Sequence, residues 1–253
     1  MFSHKIFGGE KDKWLLAFYG YGQSALVYEK LYEKVQRKYN LLVIDNPMHD
    51  YSTDLHPNDL KIYLNDLFKK HAIQDFHSMS YSMGSRMNLY LPYFFSEQLK
   101  KMFIIAPDGI QYNFWNRVAI STPWGQRIFK FFVENGSAYR KALLFFHKMG
   151  VVNKSLYAFS KWHMRDDNSR KRVYNAWMNM RFFRPDLQAV NERIENNNIQ
   201  LTSYFGKQDP VIPLAIQKKC VRFFPKQKHC ILDSDHNLLQ NALFVLIAKE
   251  LNL

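Results

Sequence analysis

The sequence predicts an α/β fold in which a mostly parallel central sheet carries helices on both faces. Short apolar runs alternate with amphipathic stretches over residues 1–107 and again over 196–253. Continuous apolar strands of this kind are typical of a parallel sheet that is buried on both faces. Between residues 108 and 195 the alternation stops, and the segment reads as helical, aromatic and basic. We therefore predict one α/β core, 1–107 with 196–253, and a helical cap inserted at 108–195.

The first half of the core begins with the apolar run Trp14-Leu15-Leu16-Ala17-Phe18. Gly20 and Gly22 follow it, which predicts a buried strand that enters a tight loop. Ser24 is a candidate N-cap for a helix over 24–39, where apolar residues recur at helical spacing. The further predicted elements are a strand at 41–44, a helix near 57–71, a strand at 76–80, a helix after Ser82 and a strand at 102–106.

The second half of the core repeats the same alternation after the insertion. A strand is predicted at 199–205, a helix at 213–224, a strand at 229–232 and a closing helix at 237–251. Ligands of parallel sheets bind at the carboxyl ends of the strands. The loops that follow these strands are therefore the places to look for functional residues.

Composition and charge limit the classes of function. The formal net charge is +13, but no zinc-finger spacing, RNA-binding signature or basic tail accompanies it, so we expect no nucleic-acid partner. The sequence contains neither a secretory leader nor an apolar run long enough to cross a bilayer, which predicts a soluble cytoplasmic protein. Cys220 and Cys230 are expected to be reduced thiols. No useful ligand spacing surrounds His49, His147 or His163, so we expect no metal or other cofactor.

Three loops that follow predicted strands carry residues that could do chemistry together. Ser80-Tyr81-Ser82-Met83-Gly84 lies at a strand-to-helix junction, where a serine in a strained turn would project above the sheet. Asp209 follows the strand at 199–205, and His236 follows the last strand. Serine, acid and histidine at one edge of a sheet predict a catalytic triad of Ser82, Asp209 and His236. Asp233 and Asp235 are close enough in sequence to compete for the acid role.

These motifs resemble the α/β-hydrolase superfamily over essentially the whole chain. The oxyanion loop of that family, H-G-x-G, is similar to Tyr19-Gly20-Tyr21-Gly22, with tyrosine in place of histidine. Its aspartate loop resembles residues 206–213, and its histidine loop resembles Asp235-His236-Asn237. The resemblance implies the α/β-hydrolase fold and favours Asp209 as the acid.

Besides Tyr19, the sequence departs from the family pattern at two further places. Ser80 replaces the first glycine of G-x-S-x-G. The segment from Asp45 to Ser52 is similar to D-x-P-G-H-G-x-S, but Met48 and Asp50 replace both glycines. These changes bear on loop shape and substrate fit and leave the triad positions intact.

The resemblance implies a serine hydrolase that cleaves a carboxylic ester or thioester through an acyl-enzyme. The oxyanion would be held by the backbone N–H groups of Tyr21 and Met83. Two alternatives stay open: a C–C bond hydrolase or lyase that uses the same triad, and a non-catalytic binding protein that keeps the fold.

The cap and the loops near the triad supply candidate substrate contacts. Aromatic side chains could form an apolar acyl pocket: Tyr19, Tyr81, Trp115, Trp124, Trp162 and Trp177. The segment 108–195 contains 15 Lys plus Arg against 7 Asp plus Glu. This charge could attract an anionic small-molecule ester or thioester, or an acidic carrier protein. A basic cluster around Arg165, Arg170, Lys171 and Arg172 could equally be a solvated helix face.

Overall fold

The computed structural model describes residues 2–45, 54–112, 114–152 and 154–252, with the backbone alone for 114–117, 155, 156 and 159. The chain forms two compact units. The first contains Met1–Asn46, His56–Gln111 and Phe183–Leu253. The second contains Pro47–Leu55 and Tyr112–Phe182.

A seven-stranded sheet, formed by described residues, is the centre of the first unit. Its order along the sheet is β1-β3-β2-β4-β5-β6-β7, and every neighbouring pair is parallel except β1 with β3. This mostly parallel sheet confirms the predicted fold class. The strands are β1 Ser3–Phe7, β2 Lys13–Phe18, β3 Tyr39–Asp45, β4 Phe76–Tyr81, β5 Leu99–Ile105, β6 Gln200–Gly206 and β7 Lys228–Leu232.

The central strands are buried because their apolar runs face helices on both sides. Five of the six residues of β2 and six of the seven of β6 are buried. Strand β1 at the edge was not predicted: its residues alternate between exposed and half-buried, so it lacks the apolar run of the others.

Twelve α-helices of the described chain surround or follow these strands. They are α1 Glu29–Val35, α2 Pro57–Lys70, α3 Ser85–Asn88, α4 Leu91–Phe94, α5 Phe114–Ser121, α6 Pro123–Glu134, α7 Gly136–Lys148, α8 Lys154–His163, α9 Asp167–Asn179, α10 Leu187–Asn196, α11 Leu214–Phe223 and α12 Asn241–Glu250. The helix predicted at 24–39 is a 3₁₀ turn, Ala25–Tyr28, followed by the shorter α1. The last helix begins at Asn241 rather than at residue 237, which leaves the histidine loop free of helical structure.

The second unit consists mainly of α5 to α9. Thr122 caps α6 through a hydrogen bond from the Gly125 N–H to its hydroxyl, 3.1 Å. Arg170, which the sequence groups with exposed cations, is buried instead, and its Nε donates to the Val133 carbonyl at 2.8 Å. This bond ties α9 to α6, so Arg170 has a structural role here.

The boundary of the second unit differs from the predicted insertion. Its longer segment is Tyr112–Phe182, and it also contains Pro47–Leu55, whereas the sequence predicts a cap at 108–195. Helix α10 packs against α4 and α11 and belongs to the first unit.

Two further sequence expectations concern cysteines and membrane spans. Cys220 and Cys230 are both free thiols, and burial raises the pKa of Cys220 to about 12. Among the described helices, none has the length and apolar character needed to span a bilayer.

Candidate active site

Ser82 lies in a strained turn at the carboxyl end of β4. It begins the 3₁₀ turn Ser82–Gly84, which leads directly into α3. Its φ angle is +50°, a region that costs a non-glycine residue about 1–3 kcal/mol. The chain therefore reverses direction sharply at this serine, as the elbow motif requires.

Two glycines let the end of β2 approach this turn. A Cβ on Gly84 would lie 2.6 Å from the carbonyl oxygens of Phe18 and Tyr19, which belong to backbone that cannot move aside easily. A Cβ on Gly20 would lie 3.2 Å from the Cβ of Ser82. Contact between the β2 loop and the turn thus depends on the absence of side chains at both positions.

Ser80 replaces a family glycine and is accommodated by polar partners. Its side chain is fully buried. The hydroxyl donates to Ser85 Oγ at 3.1 Å and accepts from Asn88 Nδ2 at 2.9 Å. Both partners lie on α3, so a buried hydroxyl fits where the family pattern has no side chain.

His236 is within reach of both other members of the predicted triad. Its Nε2 lies 3.2 Å from Ser82 Oγ, and its Nδ1 lies 2.7 Å from Asp209 Oδ2. With Nδ1 protonated, the imidazole donates to the carboxylate and accepts from the serine hydroxyl. The structure therefore brings Ser82, His236 and Asp209 together in one hydrogen-bonded row.

The Asp209 carboxylate is held by its own loop. Its side chain has no exposed surface, and Oδ1 accepts the backbone N–H groups of Val211 and Ile212 at 2.8 and 2.9 Å. These bonds leave Oδ2 directed at His236. A buried carboxylate fixed in this way favours one orientation of the imidazole.

Asp233 and Asp235 have other partners. Asp233 Oδ1 accepts from Gln208 Nε2 at 2.6 Å, and Asp235 Oδ1 accepts the N–H of Asn237 at 2.8 Å. Both residues are exposed. The geometry therefore favours Asp209 over either of them as the partner of His236.

The histidine loop packs on the end of β6 because residue 206 is glycine. A Cβ on Gly206 would lie 2.5 Å from the Asp235 carbonyl oxygen and 2.6 Å from that of Ser234. This approach brings His236 beside the loop that carries Asp209.

Tyr81 contacts His236 in a way that the sequence did not suggest. Its hydroxyl donates to the His236 carbonyl oxygen at 2.5 Å, and the two rings are 5.3 Å apart. Burial, together with the carboxylates of Asp209 and Asp235, raises the pKa of Tyr81 well above its ordinary value, so the phenol stays a donor. This hydroxyl holds the histidine loop, and the substrate contact that the sequence predicts for Tyr81 stays a prediction.

A buried ion pair next to the turn was also missed. Arg86 on α3 contacts Asp108 through two bonds of 2.8 and 3.2 Å, and Arg86 is 2% exposed. The backbone N–H of Asp108 donates to the Ser82 carbonyl at 3.1 Å. This pair ties the loop after β5 to the serine turn. Opposite charges that follow two neighbouring strands are the sequence signal that could have indicated it.

The predicted oxyanion-loop residues lie in the loop that follows β2 and within the serine turn. Tyr21 is half-buried beside Gly22, whose φ is +75°, and Met83 directly follows Ser82. The Gly20 N–H is bonded to Gln23 Oε1 at 3.0 Å, which fixes the bend of the loop.

Tyr19 contacts Asp45, which is the last residue of β3 and the first of the predicted D-x-P-G-H-G-x-S segment. Tyr19 is buried, and its hydroxyl donates to Asp45 Oδ1 at 2.9 Å. The remaining members of the predicted D-x-P-G-H-G-x-S segment, including Met48 and Asp50, lie outside the described residues.

The four predicted tryptophan contacts all belong to the second unit. Trp124 and Trp162 are 56% and 64% exposed, and Trp177 is half-buried. The side chain of Trp115 lies outside the described residues. Within the described chain, no group of three or more His, Cys, Asp or Glu side chains is arranged to hold a metal ion.

Comparison with known proteins identifies the family. A model of the alpha/beta hydrolase fold matches residues 13–241, which is most of the chain. The chain belongs to the α/β-hydrolase family. A search of curated protein sequences gave no significant match.

Solved α/β-hydrolase structures are similar over their whole length. A carboxylesterase of the thaumarchaeon Nitrososphaera gargenis has a TM-score of 0.69 at 14% identity, covering 99% of this chain and 94% of its own. A thermophilic esterase from Thermogutta terrifontis has a TM-score of 0.69 at 12% identity, covering 99% and 93%. The enol-lactonase of Burkholderia xenovorans has a TM-score of 0.67 at 13% identity, covering 100% and 96%. At these identities the likeness establishes the fold.

Proposed function

We propose that this α/β-hydrolase is a serine hydrolase that cleaves a carboxylic ester or thioester through an acyl-enzyme. The observation that carries the proposal is the continuous row of hydrogen bonds from Ser82 through His236 to the buried Asp209. A serine hydroxyl becomes a nucleophile when an adjacent base can take its proton and a third group orients that base.

The first half of the reaction forms the acyl-enzyme. Ser82 Oγ attacks the carbonyl carbon of the substrate while its proton moves to His236 Nε2. The imidazolium is stabilised by Asp209, whose carboxylate stays ionised. The tetrahedral intermediate then collapses as His236 donates the proton to the leaving oxygen or sulfur. The alcohol or thiol departs, and the acyl group stays on Ser82.

Water completes the cycle. His236 removes a proton from a water molecule, the hydroxide attacks the acyl carbon, and the proton returns to Ser82 Oγ as the carboxylic acid leaves. In both halves the negative oxygen would be held by the backbone N–H groups of Met83 and Tyr21. One such donor typically contributes about 3–4 kcal/mol to transition-state stabilisation.

Tyr81 acts as a positioning residue in this proposal. The bond from its hydroxyl to the His236 carbonyl supports a fixed histidine loop. Tyr19, whose hydroxyl is bonded to Asp45, would contribute to the shape of the β2 loop. The tryptophans at 115, 124, 162 and 177 remain candidate acyl contacts of the second unit.

Covalent labelling tests the nucleophile directly. A fluorophosphonate should add to the wild-type protein in a one-to-one ratio, as measured by intact mass, because only an activated serine attacks it. Ser82→Ala should remain unlabelled, and the exposed control Ser137→Ala should label like the wild type. Labelling of Ser82→Ala, or none of the wild type, would contradict the proposal, and the second result would favour a non-catalytic binding protein.

A substrate panel then tests the bond that is cleaved. Matched short and long acyl esters, their thioester analogues and a diketone should be compared by initial rates with the wild type and Ser82→Ala. Serine-dependent turnover of esters or thioesters is expected. Turnover of the diketone alone would replace the proposal with C–C bond hydrolysis.

A further inference from the structure

Helix α7 contains large apolar side chains that are exposed to solvent. Within the described residues, none of its side chains is fully buried, although it contains the run Leu143-Leu144-Phe145-Phe146. Phe145 is 58% exposed, and Met149 and Val151 just beyond the helix are 61% and 62% exposed. We call the exposed set at this end of the helix the apolar tip: Leu144, Phe145, Phe146, Met149 and Val151.

The backbone of the apolar tip is ordered by its own hydrogen bonds. The N–H groups of Val151 and Val152 donate to the Phe146 carbonyl at 3.0 and 3.2 Å. His147 Nδ1 lies 2.8 Å from the Val152 carbonyl oxygen, and the His147 ring stacks on Tyr157 of α8 at 4.4 Å. Together these contacts join α7 and α8 into a hairpin that presents its apolar side chains outward.

The formally charged side chains of this hairpin are all positive. Between Glu134 and Asp166 the sequence contains six Lys or Arg residues and no Asp or Glu. Lys141, Lys148 and Lys154 are exposed beside the apolar tip. Further along α8, exposed Trp162 has the Arg165 guanidinium 4.4 Å above its ring.

This combination fits the interface of an anionic membrane. Apolar and aromatic side chains enter the boundary between headgroups and acyl chains, while lysines extend to the lipid phosphates. A second copy of the same hairpin would bring like charges together, because residues 136–163 contain five Lys or Arg residues and no Asp or Glu, and Arg165 beyond α8 is paired with Asp166 at 3.2 Å. The positive charge would also attract an acidic carrier protein, but it does not explain why Phe145, Met149 and Val151 are exposed.

We propose that the α7–α8 hairpin docks the protein on anionic lipid surfaces. The apolar tip enters the interface, and the surrounding cations contact lipid phosphate groups. The proposal is independent of the chemistry at Ser82.

Vesicle flotation of the full chain tests the docking. Wild-type protein should float with vesicles of phosphatidylcholine and phosphatidylglycerol in equal parts. Binding should be at least about tenfold weaker to phosphatidylcholine alone and should weaken in high salt, because exposed charges are then screened. No binding to the mixed vesicles would overturn the proposal.

Paired variants assign the binding to the hairpin. Phe145→Ser combined with Met149→Ser should weaken binding at least about tenfold. The control, Ile62→Ser combined with Ile231→Ser, removes side chains that are 54% and 50% exposed in the first unit and should bind normally. Lys141→Gln with Lys148→Gln should weaken binding to the mixed vesicles, whereas Lys11→Gln with Lys30→Gln should not. Equal effects within either pair would contradict the assignment.

Two further measurements separate this proposal from its competitors. Light scattering without vesicles should give a monomer for the wild type; a dimer abolished by Phe145→Ser with Met149→Ser would assign the apolar tip to a second copy instead. Ser82→Ala should bind vesicles like the wild type, so a failure of the proposed hydrolase activity would leave this result unchanged. The tip variants should melt within a few degrees of the wild type, because the replaced side chains are exposed.

Discussion

Two histidines, His77 and His236, lie at opposite ends of strand β4, and the charged groups around them differ. At the carboxyl end, His236 lies within hydrogen-bond distance of Ser82 through one ring nitrogen and of Asp209 through the other. At the amino end, His77 has no hydrogen-bond partner for Nδ1 among the described residues. Burial and the nearby Lys101 and Lys13 lower the pKa of His77 to about 4.

The difference indicates what the proposed base His236 has and His77 lacks. Burial is the main reason that His77 stays neutral, and Lys101 and Lys13 add to the effect against the opposing charge of Asp75. His236 has a buried carboxylate on one side, which can stabilise the positive charge that appears when a proton arrives from Ser82. Under the proposed mechanism, a half-buried imidazole would then serve packing at one end of the strand and proton transfer at the other.

The largest expected effect comes from removing the carboxylate that distinguishes the two histidines. Asp209→Asn should lower the single-turnover rate of acylation by an activated ester about four orders of magnitude, because the imidazolium loses its counter-charge and its tautomer is no longer fixed. Stopped-flow release of the leaving group measures this rate. Asp235→Asn, the matched control, should stay within a few-fold of the wild type; equal losses would contradict the assignment.

A second substitution tests how closely the carboxyl end is packed. Gly84→Ala places a methyl group against the Phe18 and Tyr19 carbonyl oxygens and should lower the free energy of unfolding by about 3 kcal/mol. At Gly22 a methyl group would meet no neighbouring atom, but alanine would have to adopt the positive φ of this position. Gly22→Ala should therefore lower the free energy of unfolding by about 1 kcal/mol. Urea unfolding measures both. Equal costs would mean that the atoms around residue 84 relax to admit the methyl group, which would contradict close packing there.

The lowered pKa of His77, at the amino end of β4, predicts that the stability of the protein depends on pH. Because the folded protein lowers the pKa of His77 to about 4, the unfolded chain binds a proton at higher pH than the folded protein does. The stability linked to His77 is complete above pH 6.5 and is lost as pH falls toward 4. Over that window the wild type should lose about 2 kcal/mol more than His77→Gln in urea unfolding. A His77 pKa near 6.5, measured by NMR titration, would contradict this.

The smallest expected effect concerns Tyr81. Tyr81→Phe removes the hydrogen bond to the His236 carbonyl and should lower kcat about tenfold with little change in KM, since the loop would hold the imidazole less firmly. Tyr90→Phe, at a half-buried tyrosine of the first unit, is the control. A change confined to KM would instead support the substrate contact that the sequence predicts for Tyr81.

Much of the sheet could be predicted because inner strands such as β2 and β5 contain continuous apolar runs, whereas β4 and β6 also contain Ser, Thr or His. Runs as short as Trp14 to Phe18 and Met102 to Ala106, bounded by loop residues, favour buried strands over helices. Strand β1 lacks that signal, since it pairs only at the edge. The order of the strands and the position of α10 depend on contacts between distant residues, which no local pattern encodes.

The candidate site could be predicted in part for the same reason. Ser82, Asp209 and His236 each follow a predicted strand, and parallel strands bring their carboxyl ends to one edge. The roles of Tyr81 and of the Arg86–Asp108 pair depend instead on where side chains point. From the sequence, a tyrosine next to the candidate nucleophile suggests a substrate contact. The structure is needed to show that its hydroxyl is bonded to the histidine loop.

The serine at position 80 has an evolutionary consequence. Its hydroxyl is shared by Ser85 and Asn88, so mutation to the glycine of the family pattern would deprive both of a buried partner. Ser80→Gly alone should therefore lower stability. We expect the three positions to show strong epistasis, and homologues that carry glycine at residue 80 to have replaced Asn88 with an apolar side chain.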